Sequence, residues 1–165
     1  MLKEIKIKGY KSLKDVTLNL RPINILIGAN GVGKSNFITF FSLVNNIYEQ
    51  NLQSYSMACG ADSLLYYGLK HTNQIEGSLD FGNNTYAFKL SPAKDGSLYI
   101  AEEENVYLNS NFIYPSKNIR ESEIKDSTRT RDSYLRDCLA SYRIYHFHDT
   151  EMSSKLRSKY CNIDD

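Results

Sequence analysis

GANGVGKS, residues 28–35, decides the fold, because it fits the P-loop pattern G-x-x-x-x-G-K-[ST] at every fixed position. Residues 23–27, INILI, precede it; four of the five are apolar and three are β-branched, which predicts a buried strand. The apolar residues that follow recur at helical spacing: Phe37, Phe40, Phe41, Val44, Ile47 and Tyr48. The sequence thus predicts a strand, a phosphate-binding loop and a helix, in the order that the motif requires.

Each residue type of this loop has a separate role in binding a phosphate. Gly28, Gly31 and Gly33 can adopt positive φ and leave room for a phosphate near the backbone. Consecutive backbone N–H groups and the helix N-terminus attract the anion. Lys34 supplies a positive charge for the β and γ phosphates of a nucleotide, and the Ser35 hydroxyl is a predicted Mg²⁺ ligand. The predicted nucleotide contacts are Asn30, Gly31, Val32, Gly33, Lys34, Ser35 and Asn36.

Composition narrows the class of protein. The 165 residues suffice for one domain with a core, and 41% hydrophobic and 24% charged content is ordinary for a globular protein. The formal net charge of +1 gives no global electrostatic case for binding nucleic acid or an anionic membrane. The sequence contains neither a membrane-length apolar run nor a signal peptide, so we expect a cytoplasmic protein without a membrane partner.

Alternating patterns predict strands on both sides of the P-loop helix. Strands are expected at residues 5–8 and 16–20, the second ended by Pro22. The helix should fade between residues 46 and 53, and residues 54–74 are ambiguous. From about residue 74 the period becomes two, which predicts an antiparallel meander with a hairpin turn at residues 82–84.

The remainder of the chain is polar and highly charged. The acidic run 102–104 is expected to be a solvated strand end or loop, and residues 109–133 a polar loop. A helix is predicted at 132–142, then a strand at 143–150 and a short helix to about 159. Five basic residues could follow a nucleic-acid backbone, but interleaved acidic residues favour an ordinary solvated surface. They are Arg120, Lys125, Arg129, Arg131 and Arg136.

The pattern G-x-N-G-x-G-K-S-N at residues 28–36 resembles the ABC-type ATPase heads of the SMC and RecF families. The opening LKEIKIKGYKSLKDVTLNL, residues 2–20, is similar to the two-strand opening of those heads, in which an aromatic, a basic residue and Ser form a turn near the nucleotide. Here these are Tyr10, Lys11 and Ser12. The resemblance implies that Lys11 touches the nucleotide phosphates; the alternative is a surface lysine on a turn.

The resemblance covers essentially the whole chain and implies an α/β fold. We expect a P-loop NTPase (ABC-ATPase-like) partial head, with a mixed sheet, an inserted antiparallel β meander and flanking helices. Residues 1–53 would hold the first strands, the P-loop and the first helix, and residues 74–108 the meander. Residues 109–165 would hold the polar loop, a helix, a Q-loop-like strand and a final short helix.

The segment YHFHDT, residues 145–150, resembles a stretch in RecF-like prokaryotic ATPases, a group also described as AAA ATPases. By position it corresponds to the segment that carries the Q-loop glutamine, but His148 and Asp149 stand here and Gln does not. Asp149 is therefore a candidate Mg²⁺ ligand, with capping of the next helix as the alternative. For His148, local packing or a local hydrogen bond is favoured over a metal ligand.

No signature Ser-Gly motif, Walker B strand or switch His follows Asp149. The expectation is the N-terminal half of a head that binds Mg-ATP, with hydrolysis needing the missing elements and no catalytic residue assigned. The resemblance implies an ATP-dependent head-to-head dimer and a role in DNA transactions or prokaryotic defence, with DNA or a nuclease as partner. The alternatives are a complete small P-loop kinase or NTPase, and a non-hydrolysing nucleotide-sensing module that gates a partner nuclease.

Overall fold

The computed structural model describes residues 1–108, 110–114 and 117–144. The strands are β1 (Glu4–Tyr10), β2 (Leu13–Asn19), β3 (Ile75–Asp80), β4 (Asn84–Pro92), β5 (Leu98–Tyr107) and β6 (Ser110–Ile113). The helices are α1 (Lys34–Tyr48), α2 (Leu52–Cys59), α3 (Ala61–Leu64) and α4 (Thr130–Ala140). The six strands form one sheet in the order β2-β1-β3-β4-β5-β6. This α/β arrangement contains the predicted meander as β3, β4 and β5.

The sheet differs from the predicted mixed sheet, because every pairing among the described residues is antiparallel. The expected buried strand at residues 23–27 is not formed there, and Ile23, Ile25 and Ile27 are 82%, 79% and 90% exposed. The turn before it has its own hydrogen bonds: Arg21 N donates to Asn24 Oδ1 at 3.0 Å, and Asn24 Nδ2 donates to Arg21 O at 2.6 Å. A short apolar run becomes a strand only beside a partner, and none of the six strands pairs with this one.

One face of the sheet is apolar and carries the helix that follows the P-loop. Residues of β1, β3 and β4 alternate between this buried face and a charged face, as period-two patterning requires. Phe40 of α1 is fully buried; its ring meets Tyr10 edge-on at 5.4 Å and stacks on Phe88 at 6.1 Å. On the opposite face, cross-strand ion pairs join Lys8 to Glu76 and Lys89 to Glu102. The ring contacts of Phe40 set the position of α1 on the sheet, and the P-loop is joined directly to α1.

The acidic run was predicted to be solvated, and for Glu103 this is wrong. The run lies inside β5, so its side chains alternate, and Glu103 points into the core with 0% exposure. Its Oε1 accepts hydrogen bonds from Tyr86 OH at 2.6 Å and Ser122 Oγ at 2.5 Å, and its Oε2 accepts one from Glu123 N at 2.9 Å. Burial raises the pKa of Glu103 above its ordinary value of 4.5, although the hydrogen bonds oppose the shift.

Replacing Glu103 by Gln is expected to change how stability depends on pH. A carboxyl whose pKa is raised by folding stabilises the protein most when protonated, so its contribution is lost as pH rises from 4.5 through the raised pKa. The free energy of unfolding of the wild type should therefore fall relative to Glu103→Gln over that range. Urea unfolding at a series of pH values measures the difference, and parallel profiles for the two proteins would refute it.

The segment after the meander contains more regular secondary structure than its polar composition predicts. The loop expected at 109–133 includes β6, which extends the sheet beyond β5. The helix expected at 132–142 is α4, two residues earlier at each end. The ambiguous stretch 54–74 contains the end of α2 and all of α3. The strand predicted at 143–150, beyond residue 144, and the final short helix lie outside the described residues.

Candidate functional site

The P-loop backbone turns through two glycines in the left-handed region. Gly31 has φ 80° and Gly33 has φ 100°, whereas Gly28 is not in that region, contrary to expectation. A Cβ at Gly33 would lie 3.0 Å from Ser12 Oγ and 3.1 Å from Leu13 Cδ2. Gly33 therefore serves both the turn and a close approach between the loop and the β1–β2 connection.

The N-terminus of α1 is open toward the loop. Gly33 is the N-cap and offers no side-chain cap, and the first turn contains no acidic residue. The first helical hydrogen bond runs from Phe37 N to Gly33 O at 2.9 Å. The N–H groups of Lys34, Ser35 and Asn36 precede it and have no intrahelical acceptor, so they favour an anion at this end.

Lys34 folds back over the loop. Its Nζ donates to Gly28 O at 2.7 Å and to Ala29 O at 2.6 Å. An ammonium group has three N–H donors, so the third remains to be donated to a phosphate oxygen. Ser35, the next residue in the chain, is exposed on the first turn of α1. The loop thus presents a positive charge and a hydroxyl together, which is the combination that a Mg²⁺-bound phosphate chain requires.

The turn between β1 and β2 adjoins the P-loop. Asn36 Nδ2 donates to Ser12 Oγ at 2.8 Å, which ties the turn to the first turn of α1. Lys11 has φ 47°, and its N donates to Leu64 O at 2.9 Å. Burial lowers the pKa of Lys11, so an anion nearby would favour its charged form. The structure brings Ser12 to the loop; for Lys11 it shows a neighbouring position and no loop contact.

Of the predicted Mg²⁺ ligands, Ser35 lies among the described residues and Asp149 does not. Ser35 lies on α1, where a hydroxyl is a suitable hard ligand for Mg²⁺. Asp149 and His148 lie outside the described residues. Within residues 1–108, 110–114 and 117–144, no group of three or more His, Cys, Asp or Glu could hold a metal ion.

The five basic residues considered for nucleic-acid binding all have partners within the protein. Arg129 lies over the Phe112 ring at 4.1 Å, and Arg131 over the same ring at 5.4 Å. Arg120 pairs with Asp95 and Lys125 with Glu49, while Arg136 donates to the Ser127 carbonyl. These contacts are compatible with either interpretation, an ordinary charged surface or a nucleic-acid contact. No helix of the described residues is both long and apolar enough to cross a bilayer.

One neighbouring segment gave no functional signal in the sequence. The loop from Leu65 to Thr72, after α3, is hydrogen-bonded to the end of β1, with Tyr66 N donating to Gly9 O at 3.0 Å. Gly9 and Gly68 both have positive φ. These two glycines are the features of the sequence that could have indicated this contact.

The family comparison gives one match. A family model described as an AAA ATPase domain matches residues 1–163, nearly the whole chain. No curated protein matches the chain.

Proposed function

The chain belongs to the AAA ATPase domain family, and from that premise we propose that it binds Mg-ATP through its P-loop as the ATP-binding part of a RecF/SMC-like ATPase. The family supports nucleotide binding and ATPase activity in general. The observation that carries the specific proposal is the open N-terminus of α1 beside the Lys34 ammonium, which pairs unpartnered helix N–H groups with a positive charge.

In this proposal the loop backbone and the helix N-terminus hold the β and γ phosphates. Lys34 donates its remaining N–H to a phosphate oxygen, and Ser35 ligates the Mg²⁺ ion. Such an ion would neutralise part of the charge on the phosphate oxygens. Lys11 on the adjoining turn adds a positive charge near the phosphates, and Asp149 is proposed as a further Mg²⁺ ligand.

Hydrolysis needs groups that the sequence does not recognisably contain. A general base on a Walker B strand and a signature motif are both required in the ABC-type heads that the sequence resembles. We propose that they act with this loop in an ATP-dependent head-to-head dimer, so that nucleotide binding drives dimer closure. A role in DNA transactions or prokaryotic defence rests on the resemblance alone, and the internal pairing of Arg129 and Arg131 does not favour that stretch as a DNA contact.

Phosphate release from Mg-ATP tests the division between binding and hydrolysis. The chain, at a concentration that saturates with nucleotide, is expected to release phosphate no faster than Lys34→Ala. Steady release that is lost in Lys34→Ala would instead show a complete catalytic set and favour the small P-loop NTPase. A phosphoryl-acceptor screen under the same conditions would then separate a kinase from a hydrolase.

A further inference from the structure

A groove of about 910 Å³ lies between helices α1 and α2, next to the last described residues of the chain. Phe41 and Asn45 of α1 line it together with Tyr55 and Cys59 of α2, and so do residues 142–144, which follow α4. This volume is at the upper end of the range of about 300–1,000 Å³ that is usual for ligand sites, so the groove can hold a segment of peptide. The described part of the chain thus ends in a groove that Cys59 also lines.

The residues after α4 enter the groove at Tyr142. Its ring meets the Phe41 ring edge-on, with centroids 5.5 Å apart. Arg143 Nη1 donates to Ala140 O at 2.7 Å and to Tyr142 O at 2.8 Å, which holds the turn at the end of α4. The Tyr142 hydroxyl is buried and has no hydrogen-bond partner among the described residues. Because buried hydroxyl groups are nearly always hydrogen-bonded, this one indicates a polar partner from a further occupant of the groove.

Cys59 gives a second, independent indication of an occupant. It is the last residue of α2, is half-buried, and is part of a disulfide bond. The sequence contains three cysteines, and Cys138 on α4 is a free thiol. The one cysteine that remains is Cys161, which lies beyond the described residues. By elimination, Cys161 is the candidate partner of Cys59 within the chain.

We infer that Cys59 pairs with Cys161 and that the chain between Ile144 and Cys161 occupies the groove between α1 and α2. This stretch can span about 56 Å when extended, whereas the eight residues of α2 are about 12 Å long, so its length permits the connection. It also supplies apolar side chains for a groove with aromatic residues in its lining: Phe147, Met152 and Leu156. The inference does not depend on nucleotide binding.

The bond forms by thiol–disulfide exchange with a small-molecule disulfide of the glutathione type. The thiolate of one cysteine attacks the small disulfide and releases one small thiol, which leaves a mixed disulfide on the protein. The thiolate of the second cysteine then displaces the other small thiol, and the two cysteine protons end on the two released thiols. Because disulfides in reducing compartments are usually transient, docking of the segment then depends on redox conditions.

Mass spectrometry of the full chain tests the pairing. After incubation with oxidised glutathione and alkylation of the remaining thiols, we expect a tryptic peptide pair that joins Cys59 to Cys161, with Cys138 outside the bond. Cys161→Ser should abolish this peptide pair, and Cys138→Ser should form it as the wild type does. A bond from Cys59 to Cys138, a bond between two copies of the chain, or no disulfide at Cys59 would overturn the inference.

The rate of tryptic cleavage tests whether the segment lies in the groove. Cleavage after Lys155 and Arg157 should be about 10-fold slower in the oxidised wild type than in the reduced protein, because a docked segment must open before it is cut. Ser54→Trp, which places a large side chain on the groove lining, should restore fast cleavage of the oxidised protein. The control is Thr17→Trp at an exposed position of β2, which should be cut as slowly as the wild type.

Two results would overturn the groove as the docking site. One is fast cleavage of the oxidised wild type, which would describe a segment that is tethered but not docked. The other is equally slow cleavage of Ser54→Trp and Thr17→Trp, which would place the segment elsewhere on the protein.

Discussion

Gly33→Val is expected to weaken Mg-ATP binding about 100-fold or more. A β-branched residue at φ 100° is strained, and its Cβ would meet Ser12 Oγ and Leu13 Cδ2 at 3.0 and 3.1 Å. Both effects push the loop away from the β1–β2 turn and displace the helix N–H groups that would hold the phosphates. Equilibrium titration with Mg-ATP measures the loss, with circular dichroism to check that α1 remains helical.

Gly31→Ala is the matched control for this prediction. Gly31 also has positive φ, at 80°, but a Cβ there would meet nothing within 4 Å. Only backbone strain is added, so the affinity should fall by less than about 10-fold. Equal losses in the two variants would contradict the role given to the contact between the loop and the turn.

Phe40→Ala is expected to lower the free energy of unfolding by about 3–5 kcal/mol. Phe40 is fully buried between Tyr10 of β1 and Phe88 of β4, so its removal leaves a cavity where α1 meets the sheet. Chemical denaturation measures the change. Because the P-loop is joined directly to α1, nucleotide affinity should be measured on the same variant.

Ile38→Ala on the same helix is the control, since Ile38 is 41% exposed. A surface change of this kind should cost no more than about 1 kcal/mol. Similar losses for the two variants would mean that α1 does not depend on the Phe40 contact for its position.

The parts of the fold that the sequence predicts well are those specified by local chemistry. Helix α1 follows from helical periodicity, and the alternation after residue 74 identifies β3 and β4 with their turn at residues 82–84. Strand alternation also predicts β1 and β2 on either side of a turn. In each case the pattern and the observed burial have the same period.

The errors occur where tertiary context decides the outcome. Residues 23–27 have strand composition but no partner among the described strands, and the Arg21–Asn24 turn leaves them exposed. Glu103 is buried because the alternation of β5 continues through an acidic run. Hydrogen bonds donated by the Tyr86 and Ser122 hydroxyls offset part of the free-energy cost of burying this carboxyl group. Neither donor lies near Glu103 in sequence.

The surroundings of the candidate site were only partly predictable. The P-loop residues follow from the motif, and the resemblance placed the Tyr10–Ser12 turn near them. The loop from Leu65 to Thr72 is joined to β1 by the hydrogen bond from Tyr66 N to Gly9 O, and backbone hydrogen bonds leave no side-chain pattern in the sequence. The contact between this loop and β1 is therefore found only in the structure.

The central claim is that the loop around Lys34 binds the phosphates of Mg-ATP, and a titration of Mg-ATP into the wild type, Lys34→Ala and Lys14→Ala tests it most directly. Lys14 is an exposed lysine of β2, so Lys14→Ala removes one positive charge, as Lys34→Ala does, but leaves the P-loop unchanged. We expect Lys34→Ala to bind about 10- to 100-fold more weakly, through loss of charge-assisted hydrogen bonds, and Lys14→Ala to bind like the wild type. Wild-type affinity in Lys34→Ala, or no measurable binding by the wild type, would contradict the account.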